Sequence, residues 1–175
     1  EELASRPIAT PLKMLDCCSV ADGGCAVVIA ADPLGDHPVK ISGASQQHNA
    51  QHISAMATLS DFGAGRCTQR ALADAGRCLD DVEYAAIYDS FTITVLMQLE
   101  DLGFCPKGQG GRFVADGQLI AGQGRLAVNT DGGGLCNNHP ANRGGMTKVI
   151  EAVRQLRGQA HPQVQVPNLE FALAN

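Results

Sequence analysis

Residues 25–31 read Cys-Ala-Val-Val-Ile-Ala-Ala, seven apolar positions with nothing to turn toward water. A strand that alternates apolar and polar residues can lie on a surface. A continuous apolar run of strand length asks instead to be covered on both faces. Residues 32–36 (Asp-Pro-Leu-Gly-Asp) break the run. Any fold that accommodates it needs layers above and below a sheet.

The remainder of the chain offers candidates for those layers. Residues 39–44 read as a second strand and residues 82–88 (Val-Glu-Tyr-Ala-Ala-Ile-Tyr) as a third. The polar stretch 46–65 between them reads as an excursion with a helical piece in it. Over 66–75 the spacing predicts a helix with Cys67, Ala71, Leu72 and Ala75 on one face and Gly76 placed to end it. Asp89 or Ser90 can cap a following helix, whose stripe of Phe91, Val95, Leu96, Leu99 and Leu102 stops before Gly103. The glycine-rich stretch 105–124 carries a hairpin signal at Ala115-Asp116-Gly117. A last helix over 145–156 points Met146, Val149, Ile150 and Val153 inward and sets Arg154 and Arg157 near its negative end. Residues 164–166 and 169–173 read as short closing strands. Strands alternating with helices place the chain in the α/β class as a layered domain.

At 175 residues the chain fits one domain with a substantial core. It has no Trp and 20 glycines, so packing must rest on small residues more than on aromatic anchors. The net charge of −5 and the scattered 13 Lys and Arg argue against a nucleic-acid partner. No apolar run is long enough to span a bilayer. Glu1-Glu2-Leu3-Ala4 has neither the basic nor the apolar part of a signal peptide, and it lacks an initiator Met, as expected of a processed, trimmed or partial chain. Seven cysteines without a secretory signal are expected to be reduced thiols of a cytoplasmic protein.

Chemistry concentrates in residues 128–140 (Val-Asn-Thr-Asp-Gly-Gly-Gly-Leu-Cys-Asn-Asn-His-Pro). Three glycines let the backbone approach a neighbour closely, and the proline after His139 biases that histidine toward an extended backbone. The segment then runs through Asn142-Arg143 into the last helix. A histidine held there can take a proton from a nucleophile, or can simply be a loop residue bonded to backbone. Tyr88-Asp89-Ser90, where a strand ends and a helix begins, is the second candidate, because polar residues at that edge commonly line α/β sites. Its bland reading is a helix cap. His48 and His52 stand four apart but have no neighbouring Glu and no third ligand, so no metal site is expected. Cys17-Cys18 lacks redox spacing, and Gly108-Gln109-Gly110-Gly111 lacks the Lys-Ser/Thr of a phosphate loop.

Taken in order, these segments resemble the C-terminal half of the thiolase superfamily over nearly the whole chain. Residues 128–145 are similar to the family's glycine-rich run ending in Gly-His-Pro, with Asn138 in place of the glycine before His139. Residues 88–92 (Tyr-Asp-Ser-Phe-Thr) correspond to its Asn-Glu-Ala-Phe-Ala block. Residues 16–24 (Asp-Cys-Cys-Ser-Val-Ala-Asp-Gly-Gly) resemble its Asn-Asp-Gly-Ala-Ala stretch.

The resemblance implies a thiolase-like layered fold with a mixed sheet flanked by helices. Residues 1–31 would be the tail of the N-terminal half, and 32–175 the C-terminal domain. It implies action on coenzyme A thioesters as substrates, with no permanently bound cofactor, and assembly as a homodimer or higher oligomer with an N-terminal half that supplies the nucleophilic cysteine. His139 would be the catalytic base, and Cys17, Cys18 and Ser19 would lie on the coenzyme A side. Tyr88 replaces the family's water-holding asparagine, and Asn175 falls where its second, acid/base cysteine would stand. Both replacements resemble the sterol-carrier and lipid-transfer branch, some members of which are aldolases working with an OB-fold partner protein. The expected activity is thiolase-like acyl transfer. The alternatives are retro-aldol cleavage of a 3-hydroxyacyl-CoA, with Tyr88 and Asn175 catalytic, and a non-catalytic lipid or coenzyme A carrier.

Overall fold

A computed structural model describes residues 5–141 and 144–175. Its centre is β3 (Tyr84–Ala86), flanked by β4 (Ala127–Val128) and β5 (Ala172–Ala174) in a three-stranded parallel sheet of order β4-β3-β5. Tyr84 pairs with Ala127 on one side and Ala172 on the other. A strand with neighbours on both edges and layers on both faces has no exposed position, and β3 is wholly buried.

Side chains alternate across that strand. Ala85 and Ile87 pack with Leu72, Leu99 and Leu102 on one face, while Tyr84 and Ala86 pack with Ala127, Ala152 and Leu169 on the other. The first face is covered by α1 (Ala64–Ala75) and α2 (Thr92–Leu102), the second by α5 (Gly144–Leu156). Each fully buried Leu in this sandwich contributes about 1.5–3 kcal/mol. α1 and α2 end at Gly76 and Gly103 as their sequence signals predict. Short elements complete the fold: an N-terminal ribbon of β1 (Pro7–Ala9) and β2 (Leu12–Lys13), the five-residue α3 (Gly110–Val114), and α4 (Gly133–Cys136), one turn long. Among the described residues no helix is long and apolar enough to cross a membrane.

Several expected elements differ. Residues 25–31 form no strand, and Val28 and Ile29 are 85% and 73% exposed. The apolar run states a demand for cover, but no described segment lies beside it to complete a ladder. Residues 39–44 are likewise unpaired and lie instead along α1, where a Cβ at Gly43 would stand 2.0 Å from the Ala71 carbonyl oxygen. The 46–65 excursion does contain a helical piece, a 3₁₀ turn at Ile53–Ala55. Ala115-Asp116-Gly117 is a 3₁₀ turn following α3, not a hairpin. Residues 164–166 are held by side-chain bonds to Gln155 and not by strand pairing, and the closing strand falls at Ala172–Ala174.

The largest difference concerns α5. Its buried side is Gly144, Lys148, Glu151, Ala152 and Gln155, whereas Met146 and Val149 are exposed. Of the four residues expected inward, Ile150 and Val153 are half-buried and the other two face outward. Each buried polar group has a partner: Lys148 meets Asp89 past β3, Glu151 and Gln155 both meet Thr130 past β4, and Gln155 also holds the loop at Val164 and Val166. Burial of satisfied polar groups costs little, so the apolar face is left open. Residues 142–143, in the approach to α5, lie outside the described residues, as do residues 1–4.

Candidate active site

The ends of all three sheet strands converge. Tyr88 follows β3, and its N–H donates to the Asn175 carbonyl (3.0 Å) just beyond β5, while the Asn175 N–H donates to Ala86 (2.8 Å). Past β4, Asn129 adopts a left-handed backbone (φ 47°) and uses its side-chain amide as a surrogate strand. Its Oδ1 accepts from Ile87 N–H and its Nδ2 donates to the Ile87 carbonyl, both at 2.8 Å. Tyr88 and Asn175 thus stand side by side at the carboxyl edge of the sheet, where α/β folds place their ligands.

His139 is brought to the same edge by the glycine-rich loop. Its backbone bridges to Val20, and its carbonyl accepts from Ala21 N–H (3.2 Å). Its ring is half-buried, with Nδ1 3.3 Å from Tyr88 Oη, and that oxygen also lies 3.3 Å from the Ala141 carbonyl. One arrangement of protons satisfies all three atoms: Nδ1–H donates to Oη, and Oη–H donates to the carbonyl. Nε2 then keeps its lone pair and can act as a base. The loop histidine therefore touches a side chain on another strand end and is more than a backbone-bonded residue.

Asp89 does not cap α2. The N-cap of that helix is Phe91, whose N–H donates to Thr94 Oγ1 (3.2 Å). Asp89 is instead 2% exposed and anchors the histidine loop: Oδ1 accepts from Gly134 N–H (2.8 Å) and Lys148 Nζ (2.7 Å), and Oδ2 accepts from Leu135 N–H (3.2 Å). Gly133 is required beside it. Its φ is +60°, and a Cβ there would stand 2.0 Å from Asp89 Oδ2. No local pattern reports the Asp89–Lys148 pair, because the residues lie 59 positions apart.

Cys17 bridges to Phe91, and Cys18 N–H donates to the Ser90 carbonyl (3.0 Å), so these two expected site residues border the Tyr88–Asp89 edge; Ser19 is exposed. Burial raises the Cys18 thiol, and the nearby Cys17 and Asp89 add to the effect. Tyr88 is raised first by burial, then by Cys18 and Asp89, and the buried Cys105 is raised by burial too. Groups whose folded values lie above their unfolded ones stabilise the protein fully below the ordinary thiol value of 9.0, and that contribution is lost as pH rises through the folded values. The thermal midpoint should therefore fall as pH is raised from about 8 to about 10.5, and fall less in Cys18→Ala. A midpoint that climbs over that interval would contradict the assignment.

A cleft of about 370 Å³ opens against Tyr88, Ser90 and Asn175 on the side of α1 and α2. His48 and His52 belong to no potential metal cluster, and the described residues contain none.

The family model described as "Thiolase C-terminal domain-like" matches residues 45–175. The chain belongs to this family. Among curated relatives of this thiolase-like chain, the 17-hydroxy-3-oxo-4-pregnene-20-carboxyl-CoA lyase of Mycobacterium tuberculosis is 40% identical over 166 residues, covering 88% of this chain and 41% of that protein. The acetyl-CoA acetyltransferase of Methanothermobacter thermautotrophicus is 30% identical over 176 residues, covering 98% and 45%. Among solved structures, the Ltp2-ChsH2(DUF35) aldolase matches with a TM-score of 0.75 and 33% identity over 96% of this chain and 44% of that one. The thiolase-like chain thus spans less than half the length of these relatives. The α/β layered fold expected from the sequence is that of the family.

Proposed function

We propose that this chain supplies the acid/base half of a thiolase-like aldolase, which cleaves a 3-hydroxyacyl-CoA thioester into a ketone and a shorter acyl-CoA. The observation that carries this reading is Tyr88 Oη beside His139 Nδ1, in a chain that is 40% identical to a steroid side-chain lyase. Retro-aldol cleavage needs proton transfers and no covalent intermediate. His139 Nε2 takes the proton of the 3-hydroxyl, and C3–O becomes the ketone carbonyl. The C2–C3 bond breaks, and its electron pair passes to C2 and the thioester carbonyl as an enolate. Tyr88 protonates C2, and the resulting phenolate recovers a proton from Nδ1–H. No oxidant or metal enters the balance. The raised Tyr88 keeps its proton near neutral pH, which suits an acid. Asn175 fixes the Tyr88 backbone and borders the reacting carbon.

Acyl transfer, the first expectation from the sequence, remains the second reading. It is favoured by the same His139 and by the acetyltransferase relative. It requires a nucleophilic thiol from the N-terminal half of the fold, whereas the aldolase reading asks only for what this chain presents. The deciding experiment uses the complete protein, with the N-terminal half present. A steroid side-chain 3-hydroxyacyl-CoA should yield ketone and acyl-CoA, and acetoacetyl-CoA with coenzyme A should not be thiolysed. Thiolysis without cleavage would reverse the assignment, and binding without either would leave a carrier.

Residues 1–31 belong, in this reading, to the end of the N-terminal half, with Cys17, Cys18 and Ser19 along the thioester. The open face of α5 and exposed Val28, Ile29 and Ile41 are then surfaces for that half and for a second copy of the protein. An OB-fold partner is a further candidate, since the solved aldolase carries a DUF35 component in its name. The complete protein should elute as a dimer or larger in size-exclusion chromatography; a monomer at high concentration would argue against this assembly.

A further inference from the structure

Tyr88 Oη and His139 Nδ1 stand 3.3 Å apart although they belong to different parts of the chain. Acid/base work depends on that spacing, because a misplacement of about 1 Å costs about 100-fold in rate. The first turn of α5 touches both partners. At Gly144 a Cβ would stand 2.8 Å from Tyr88 Cε2, so the phenol ring lies directly on the helix backbone. Three residues further on, Thr147 Oγ1 lies 2.8 Å from Asn138 Oδ1 and 2.6 Å from the Gly144 carbonyl, and its one hydroxyl proton serves both acceptors.

Asn138 directly precedes His139 and stands where the family's motif has glycine. Both ends of its amide are held. Nδ2 donates to Asp131 Oδ2 (2.6 Å), and Oδ1 accepts from Thr147. The Asn138 N–H donates to the Gly133 carbonyl (2.9 Å), while Asp131 Oδ1 accepts from Gly133 N–H (3.0 Å). Asp131, Gly133 and Asn138 thus close a ring within the loop, and Thr147 ties that ring to α5. On the loop side of the imidazole, a Cβ at Gly134 would stand 3.4 Å from His139 Nδ1. The ring therefore sits between loop backbone and phenol. A glycine at position 138 would keep the backbone bond and lose the side-chain tie to α5.

We propose that Asn138 and Thr147 are positioning residues that hold His139 against Tyr88, keeping the imidazole proton on Nδ1 and leaving Nε2 free as the base. Which ring nitrogen carries the proton is set by the hydrogen bonds the ring makes, so a ring released from Tyr88 loses that preference. This role rests on His139 as the base, which the aldolase and acyl-transfer readings share.

In the complete protein, Thr147→Val and Asn138→Gly should each lower kcat for ketone release by about 10- to 100-fold with little change in KM. Thr147→Ser keeps the hydroxyl and should behave as wild type. Heteronuclear NMR of the neutral histidine side chains, with the His139 signal assigned by its loss in His139→Gln, reports the tautomer without any turnover. Wild type and Thr147→Ser should show the Nδ1–H form, and Thr147→Val and Asn138→Gly a mixture of both. An Nε2–H form in wild type would overturn the positioning role, and that measurement needs no variant to fold. A tautomer unmoved by both substitutions, wild-type kcat in both variants, or Thr147→Ser as impaired as Thr147→Val would overturn it as well. If the tautomer responds to Thr147→Val while wild type cleaves no 3-hydroxyacyl-CoA, the aldolase reading fails and the positioning role stands.

Discussion

Tyr88→Phe should lower retro-aldol turnover by about 10²- to 10⁴-fold, the usual weight of a positioned acid or base, and leave the protein folded. The substitution removes only the hydroxyl that lies 3.3 Å from both His139 Nδ1 and the Ala141 carbonyl. Two long hydrogen bonds of that kind are together worth about 1–2 kcal/mol at most, so the thermal midpoint should move by a few degrees. His139→Ala should cost turnover comparably, and the double variant little more than either alone, because the two groups pass one proton between them. Steady-state release of ketone measures all three. Full ketone release by Tyr88→Phe would remove the tyrosine from the mechanism.

Asp89→Asn is expected to cost about 3–5 kcal/mol of stability, the usual result of removing one partner of a buried ion pair. Asp89 and Lys148 are 2% and 1% exposed, so an uncompensated ammonium cannot reach water. The asparagine keeps one acceptor for Gly134 N–H but cannot serve Lys148 and Leu135 as well. The thermal midpoint should drop on the order of 10 °C. Asp89→Asn combined with Lys148→Met should recover part of it, since the stranded charge is gone. A midpoint within about one degree of wild type for Asp89→Asn would mean the pair does not hold the loop. Because the carboxylate anchors the turn that carries His139, turnover should suffer beyond the stability loss, with kcat falling more than KM rises.

Elements whose signals are local could be read directly. The α1 and α2 helices and their terminal glycines needed only helical spacing, and the residues 82–88 reading needed only a run of apolar residues; both appear in the fold, with Phe91 an exposed N-cap and not part of the α2 stripe, and the strand shortened to Tyr84–Ala86. His139 and Tyr88 could be singled out because each sits in a recognisable local context. That they touch, with Asn175 alongside, is a matter of three strand ends meeting, and no local pattern reports it.

Residues 25–31 and α5 show where sequence reading stops. Hydrophobic periodicity marks a face that needs cover, without naming what provides it. In α5 the three buried polar side chains found partners on distant strand ends, so the polar face went inward and Met146 and Val149 outward.

The amino-acid sequence by itself determined the α/β class, the three sheet-covering helices and the loop that presents His139, which depend on spacing within a dozen residues or so. The family entered as a resemblance of three motifs in order. Only the tertiary structure decided which face of α5 is buried, that Asp89 clamps the histidine loop through Lys148, and that a cleft opens beside Tyr88. Each of these is a pairing between groups far apart in the chain, and its energy exists only once the sheet has brought them into contact.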